Sequence, residues 1–206
     1  MSEQNAGREA AAAAAAACVG AGTLVTVLVE GASDQAAVLA LAARAGRDLD
    51  AARVAVVPMG GAANIGHFAV ALGPRGLGLT LAGLCDAGEE DQFRRGLALA
   101  GLAPERGRAG LERAGFHVCV ADLEDELIRA LGASGVEGVI ESQGEARRLR
   151  ALRNQPAHLG RSPDRQLRRF IAGHSGAKLR YATAMAGALD LGHLPRPLDG
   201  LLAQLP

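Results

Sequence analysis

Carboxylates stand at three points where an apolar run of this 206-residue chain breaks off. The run "LVTVLV" ends on Glu30 and Gly31, with Asp34 close behind. "LAGLC" ends on Asp86, followed by Glu89, and "FHVCV" leads into Asp122 and Glu124. Taken singly, such acids have ordinary duties. Asp34 suits the first turn of a helix, where the dipole favours negative charge, and Asp122 suits an N-cap with Asp125 in a capping-box relation. Glu30 has no comparable backbone task, because it directly follows a run that is apolar and β-branched. If the three points meet, their mutual repulsion is costly unless a cation sits among them. All the donors are carboxylate oxygens with no His or Cys at the same places, which selects a hard ion, Mg²⁺ or Mn²⁺, over zinc.

The elements that must position these acids follow from the pattern between them. The sequence predicts strands over Leu24 to Val29, Val54 to Pro58, Leu77 to Cys85 and Phe116 to Val120. Between them it predicts helices over Ser33 to Ala45, with Ser33 or Asp34 as cap, Asn64 to Leu72, Asp91 to Ala100 and, after the last strand, Asp122 to Leu131. Strand and helix alternating with short connections imply βαβ units and a parallel sheet, and in such sheets function gathers where strands end and helices begin. The expected fold is therefore α/β, a parallel sheet of about four strands flanked by helices, with a helical C-terminal extension. Helices are expected over Val136 to Asn154, Asp164 to Ala172 and Ala177 to Leu189, with an irregular loop between the first two. The expected organisation is an Ala-rich N-terminal extension over 1–22, an α/β core over 23–133 and a helical part over 134–206.

Composition sets the frame. Apolar residues make up 49% of the chain but aromatics only 2%, so the core must be built from Ala, Val, Leu and Ile, as helices on a parallel sheet allow. Net charge is zero, yet from Arg147 to Arg180 ten basic residues face a single acid, Asp164. Such a strip reads either as solvated helix faces or as a track for an anionic partner. Cys18, Cys85 and Cys119 lack metal-type spacing and read as reduced, buried thiols of a cytoplasmic protein. The alanine tract Ala10 to Ala17 is preceded by Glu9 and is too weakly apolar for a leader, and no window reaches transmembrane length, so no membrane partner is expected.

These residues carry a resemblance. "VLVEGASD", "GGAANIGHF" after the next strand, "LAGLCDAGEE", the acidic helix start "DLEDEL" and the late helix "GAKLRYATA" are similar to the motifs of a TOPRIM domain. Within that superfamily the chain most resembles the TOPRIM half of OLD-family (overcoming lysogenization defect) nucleases, over roughly Leu24 to Leu189. The resemblance implies a Mg²⁺-dependent endonuclease or nickase acting on DNA with two ions. It implies Glu30, Asp34, Asp86 and Glu124, with Glu89 and Asp122 beside them, as ligands. It makes Glu30, Asp86 and Lys178 catalytic, the lysine neutralising charge on the phosphate. Arg147, Arg148, Arg153, Arg168, Arg169 and Arg180 would then hold the phosphate backbone. Phe170 and Tyr181 are the only aromatics near the strip, which favours duplex over stacked single strands.

The sequence departs from the family pattern in two respects. Where that pattern has Asp-x-Asp, this chain has Asp86-Ala87-Gly88, and only Glu89, one position later, offers a substitute. No Gly-x-x-x-x-Gly-Lys-[Ser/Thr] loop is present, so an ATPase would have to be a separate ABC-type subunit. The expectation is a stand-alone TOPRIM nuclease, with a homodimer open. The alternative is a non-catalytic nucleic-acid-binding module working with such a partner. A receiver-like phosphotransfer domain fits less well, since the acid pair and lysine are in the wrong order. Topoisomerase chemistry needs a nucleophilic tyrosine, and Tyr181 falls in an apolar helical register that reads as packing.

Overall fold

A computed structural model describes residues 3–173 and 176–206; Met1 and Ser2 of the expected N-terminal extension lie outside the described residues. Four strands form one parallel sheet: β1 (Val25–Val29), β2 (Val54–Pro58), β3 (Thr80–Cys85) and β4 (Phe116–Val118). Their order is β2-β1-β3-β4. The register pairs Val25 with Val54 on one side and with Thr80 on the other, and Cys85 with Val118 at the far edge. The chain leaves β1 toward β2, then crosses back over β1 to reach β3. The gap between the carboxyl ends of β1 and β3 is therefore the topological switch point of the sheet.

Two apolar layers enclose the sheet. On one face α1 (Glu3–Ala21), α3 (Ile65–Leu72), α4 (Glu90–Leu99) and α5 (Arg108–Arg113) bury Leu28, Phe68, Phe93, Leu97 and Phe116. Helix α1 packs along α3 and buries Ala11 and Cys18 there. On the other face lie α2 (Ala32–Arg44), α6 (Leu123–Ser142), α7 (Ala146–Arg153), α8 (Pro163–Ile171), α9 (Ala177–Ala188) and α10 (Arg196–Gln204). They share a core with Val27, Val29, Leu127, Phe170, Tyr181 and Met185. Helix α9 packs against both α2 and α6, so the C-terminal helices lie over the helix that follows Glu30.

Several element boundaries differ from the sequence reading. Strand β3 starts at Thr80 rather than Leu77, because Gly78 takes a positive φ of 71° and turns the chain first. Strand β4 stops at Val118, leaving Val120 exposed. Helix α6 breaks at Gly132, with φ 65° and ψ 169°, directly after the expected stop at Leu131, and resumes beyond this kink to Ser142. The expected helix from Val136 to Asn154 is instead divided after Ser142, where Gly144 turns with φ 74° before α7 begins. Helices α5 and α10 were not expected, and the irregular loop after α7 contains a single 3₁₀ turn, Pro156–His158. All three cysteines are buried and unpaired, as the reading of the thiols required.

Candidate functional site

The end of β1 is fixed by backbone bonds that run across the sheet. The Met59 N–H donates to the Val29 carbonyl at 2.9 Å, and the Gly61 N–H donates to the Glu30 carbonyl at 3.0 Å. Reaching back this way requires Gly60 and Gly61 at φ 71° and 122°, a turn that side chains with a Cβ rarely allow. The Asn64 side chain secures it by donating to the Met59 carbonyl at 2.9 Å. Glu30 is therefore held at the switch point by main-chain geometry. Its side chain takes no part in capping α2. That role falls to Asp34, whose Oδ2 accepts the Gly31 N–H at 2.9 Å. Gly31 is the N-cap residue, in place of the expected Ser33 or Asp34.

Beyond β3, Asp86 has extended backbone at the start of the short turn Ala87–Glu89, and the Ala87 N–H donates to the Ala121 carbonyl at 3.2 Å. That bond draws the ends of β3 and β4 together. Asp122 then caps α6, its Oδ1 accepting the Asp125 N–H at 2.7 Å, as the sequence indicated. Glu124 follows in the first turn, and Lys178 reaches in from the first turn of α9.

These elements bring Glu30, Asp34, Asp86, Asp122, Glu124 and Lys178 around one cavity of about 140 Å³, with Gly31, Ser33 and Leu123 completing its wall. Glu89 does not line it. Ser33 was expected only as a helix cap, and nothing but its place beside Asp34 marks it in the sequence as a site residue.

Electrostatics report the crowding. Burial pushes the Asp86 carboxyl up to about 7, reinforced by repulsion from Glu30, Asp34 and Asp122 and by a hydrogen bond with the Glu30 carboxyl. Asp34 is raised by burial, against the opposing pull of the Gly31 N–H and of Lys178. Glu124 is also raised by burial, with Lys178 and Arg168 pulling it down. Three carboxyls in one cavity are thus disfavoured in their charged form despite a lysine beside them, which is the condition a bound divalent cation relieves.

The donor set suits a hard ion. The nearby thiol, Cys85, is turned onto the Asp86 carbonyl at 3.2 Å and held protonated, first by burial and then by Asp86 itself. Among the described residues no three acid, His or Cys side chains close around a single point. Mg²⁺ does not demand such a cage, since it keeps several waters and takes one or two carboxylates together with substrate phosphate oxygens.

The basic strip divides in two. Arg168 on α8 is turned onto the acids: Nη2 donates to Asp122, Nη1 to Asp125 at 3.4 Å, and Nε lies 3.8 Å from Glu124. Arg180 and Arg148 both pair with Glu145, at 2.6 and 3.3 Å, and Arg153 pairs with Glu137 at 2.6 Å. These four are engaged within the fold rather than offered as an open track, because partner acids outside the strip fold back onto it. Arg147 and Arg169 are exposed and make no ion pair among the described residues. Tyr181 is fully buried, and its hydroxyl donates to Glu145 at 2.9 Å.

Residues 25–87 match the family model for the TOPRIM domain of proteins like the overcoming lysogenization defect (OLD) protein. The matched stretch holds Glu30, Asp34 and Asp86 and ends before Asp122, Glu124 and Lys178. Among solved structures, the C-terminal region of the Xanthomonas campestris pv. campestris OLD protein aligns with a TM-score of 0.68 at 22% identity, covering 89% of this chain and 92% of that one. The C-terminal region of the Burkholderia pseudomallei OLD protein aligns with a TM-score of 0.64 at 24% identity, covering 89% and 96%. No curated protein matches. Over residues 25–87 the chain is similar to the OLD-like TOPRIM family model, and over 89% of its length its fold is similar to that of OLD C-terminal regions.

Proposed function

We propose that this OLD-type TOPRIM chain is a Mg²⁺- or Mn²⁺-dependent endonuclease that hydrolyses phosphodiester bonds of duplex DNA. The observation that carries the reading is the convergence of five carboxylates and Lys178 on one cavity at the switch point of the sheet. Glu30, Asp86 and Glu124 are the principal ligands, with Asp34 and Asp122 beside them. Two bound ions would supply Lewis-acid stabilisation of the attacking and leaving oxygens. The protein's own part is to fix the carboxylates on rigid strand ends and to hold a phosphate oxygen on the Lys178 ammonium as negative charge develops. Arg147 and Arg169 contribute phosphate contacts beyond the cavity.

Gly88 favours a second reading, a nucleic-acid-binding module without cleavage that acts with a separate ATPase subunit. With one carboxylate fewer than Asp-x-Asp, one ion is less well held. A Cβ added at Gly88 would meet nothing within 4 Å, so an aspartate can be accommodated there.

Incubation with supercoiled plasmid in Mg²⁺ or Mn²⁺ separates the readings. The nuclease reading expects nicked product that EDTA abolishes and that Glu30→Ala or Asp86→Ala reduces by roughly two orders of magnitude, the scale of lost charge stabilisation at the phosphate. Gly88→Asp should increase cleavage. Cleavage that survives both alanine substitutions contradicts the metal assignment. Binding without cleavage in wild type, converted to cleavage by Gly88→Asp, favours the second reading.

A further inference from the structure

Arg168 is separated from the acids by more than forty positions in sequence, yet its guanidinium spans three of them. Glu124 is only 12% exposed, and its charge is met by two cations, Lys178 and Arg168. Asp122 gives Oδ1 to the cap of α6, and the oxygen left over, Oδ2, is the one that accepts from Arg168. Each oxygen of Asp122 thus already accepts a hydrogen bond from within the molecule, and the charge of Oδ2 is met by Arg168.

We propose that Arg168 is a built-in counter-cation of the acid cleft. It is a positioning residue that holds Asp122 and Glu124 while no divalent ion is bound, and it is exchanged for the ion on loading, leaving its guanidinium at the rim for a substrate phosphate. The inference rests on the metal-dependent reading above. Three features make the exchange feasible. Arg168 is 38% exposed, so its head group can turn to water without a large desolvation change. Asp125, the third partner, keeps a second guanidinium when Arg168 leaves, since Arg129 Nε lies 2.8 Å from its Oδ2. The carboxylates released are then Asp122 and Glu124, the two that line the cavity. A guanidinium freed there matches a phosphate in charge and fork geometry.

The test is Mn²⁺ binding by the full chain without DNA, read by electron paramagnetic resonance or calorimetry. Removing the competing cation in Arg168→Gln should tighten Mn²⁺ binding roughly fivefold or more, the scale of a modest coupling between two ligands of one site. Arg168→Lys, which keeps the charge, should fall between Arg168→Gln and wild type. Arg113→Gln, which removes the partner of Glu105 away from the cavity, should leave the affinity unchanged. A purely structural role for Arg168 would loosen ion binding on substitution, so equal or weaker binding in Arg168→Gln overturns the proposal. Wild type that binds no Mn²⁺ overturns the metal-dependent reading itself, and this inference with it.

Discussion

Asp86 concentrates the chemistry of the cleft in one side chain. Its carboxyl is pushed up to about 7 from an ordinary 3.8, first by burial and then by Glu30, Asp34 and Asp122. A group whose folded value lies above its unfolded one keeps its proton in the folded state after the unfolded chain has lost it. Its contribution is therefore fully present below about pH 4 and is lost as pH rises toward 7. Asp34 and Glu124 are raised by burial as well and act with the same sign. Glu145 and Asp190 are lowered and act in the opposite sense, but in the acid range, while His117, lowered by burial, opposes the trend between pH 5 and 8 as one group against three. In EDTA, thermal unfolding should therefore occur at lower temperature at pH 8 than at pH 5. Asp86→Asn should flatten that slope, and Mg²⁺ at pH 8 should recover stability in wild type but less in the variant.

At the scale of elements, the sequence revealed those whose ends carry chemistry better than those that only cover the core. Strand β2 runs over the expected residues, and the start of β1 is displaced by one. The acids after β1, β3 and β4 meet as the parallel alternation required. Helices α5 and α10 escaped notice because their short apolar faces are interrupted by Gly and Pro within and around them. The basic strip was visible as composition, but its pairing was not, because Glu137 and Glu145 reach it only through tertiary contacts. The same blindness hid the role of Arg168. Glu145, just before α7, shows what those contacts do: it accepts from Arg180, from the buried Tyr181 hydroxyl at 2.9 Å and from Arg148. Glu145→Ala leaves the Tyr181 hydroxyl unsatisfied and should cost about 1–3 kcal/mol in urea denaturation, with Glu145→Gln retaining part of the loss.

Over the whole molecule a net charge of zero conceals two opposed surfaces, a carboxylate cleft at the strand ends and arginines on the helices that cover them. Binding of duplex DNA should weaken with salt, each phosphate contact adding about 0.9 to the logarithmic slope. Arg147→Gln and Arg169→Gln should each remove about one such contact in a fluorescence-anisotropy salt series. Arg153→Gln, whose head group is already paired with Glu137, should leave the slope unchanged. Among the described residues no helix is long and apolar enough to cross a membrane. The central claim is that the cleft binds divalent ions for phosphodiester chemistry, and anomalous diffraction from crystals soaked in Mn²⁺ tests it most directly. The account predicts anomalous density bounded by Glu30, Asp86 and Glu124, with Arg168 turned away from Asp122. Crystals soaked at millimolar Mn²⁺ that show no anomalous density in that cavity would contradict it.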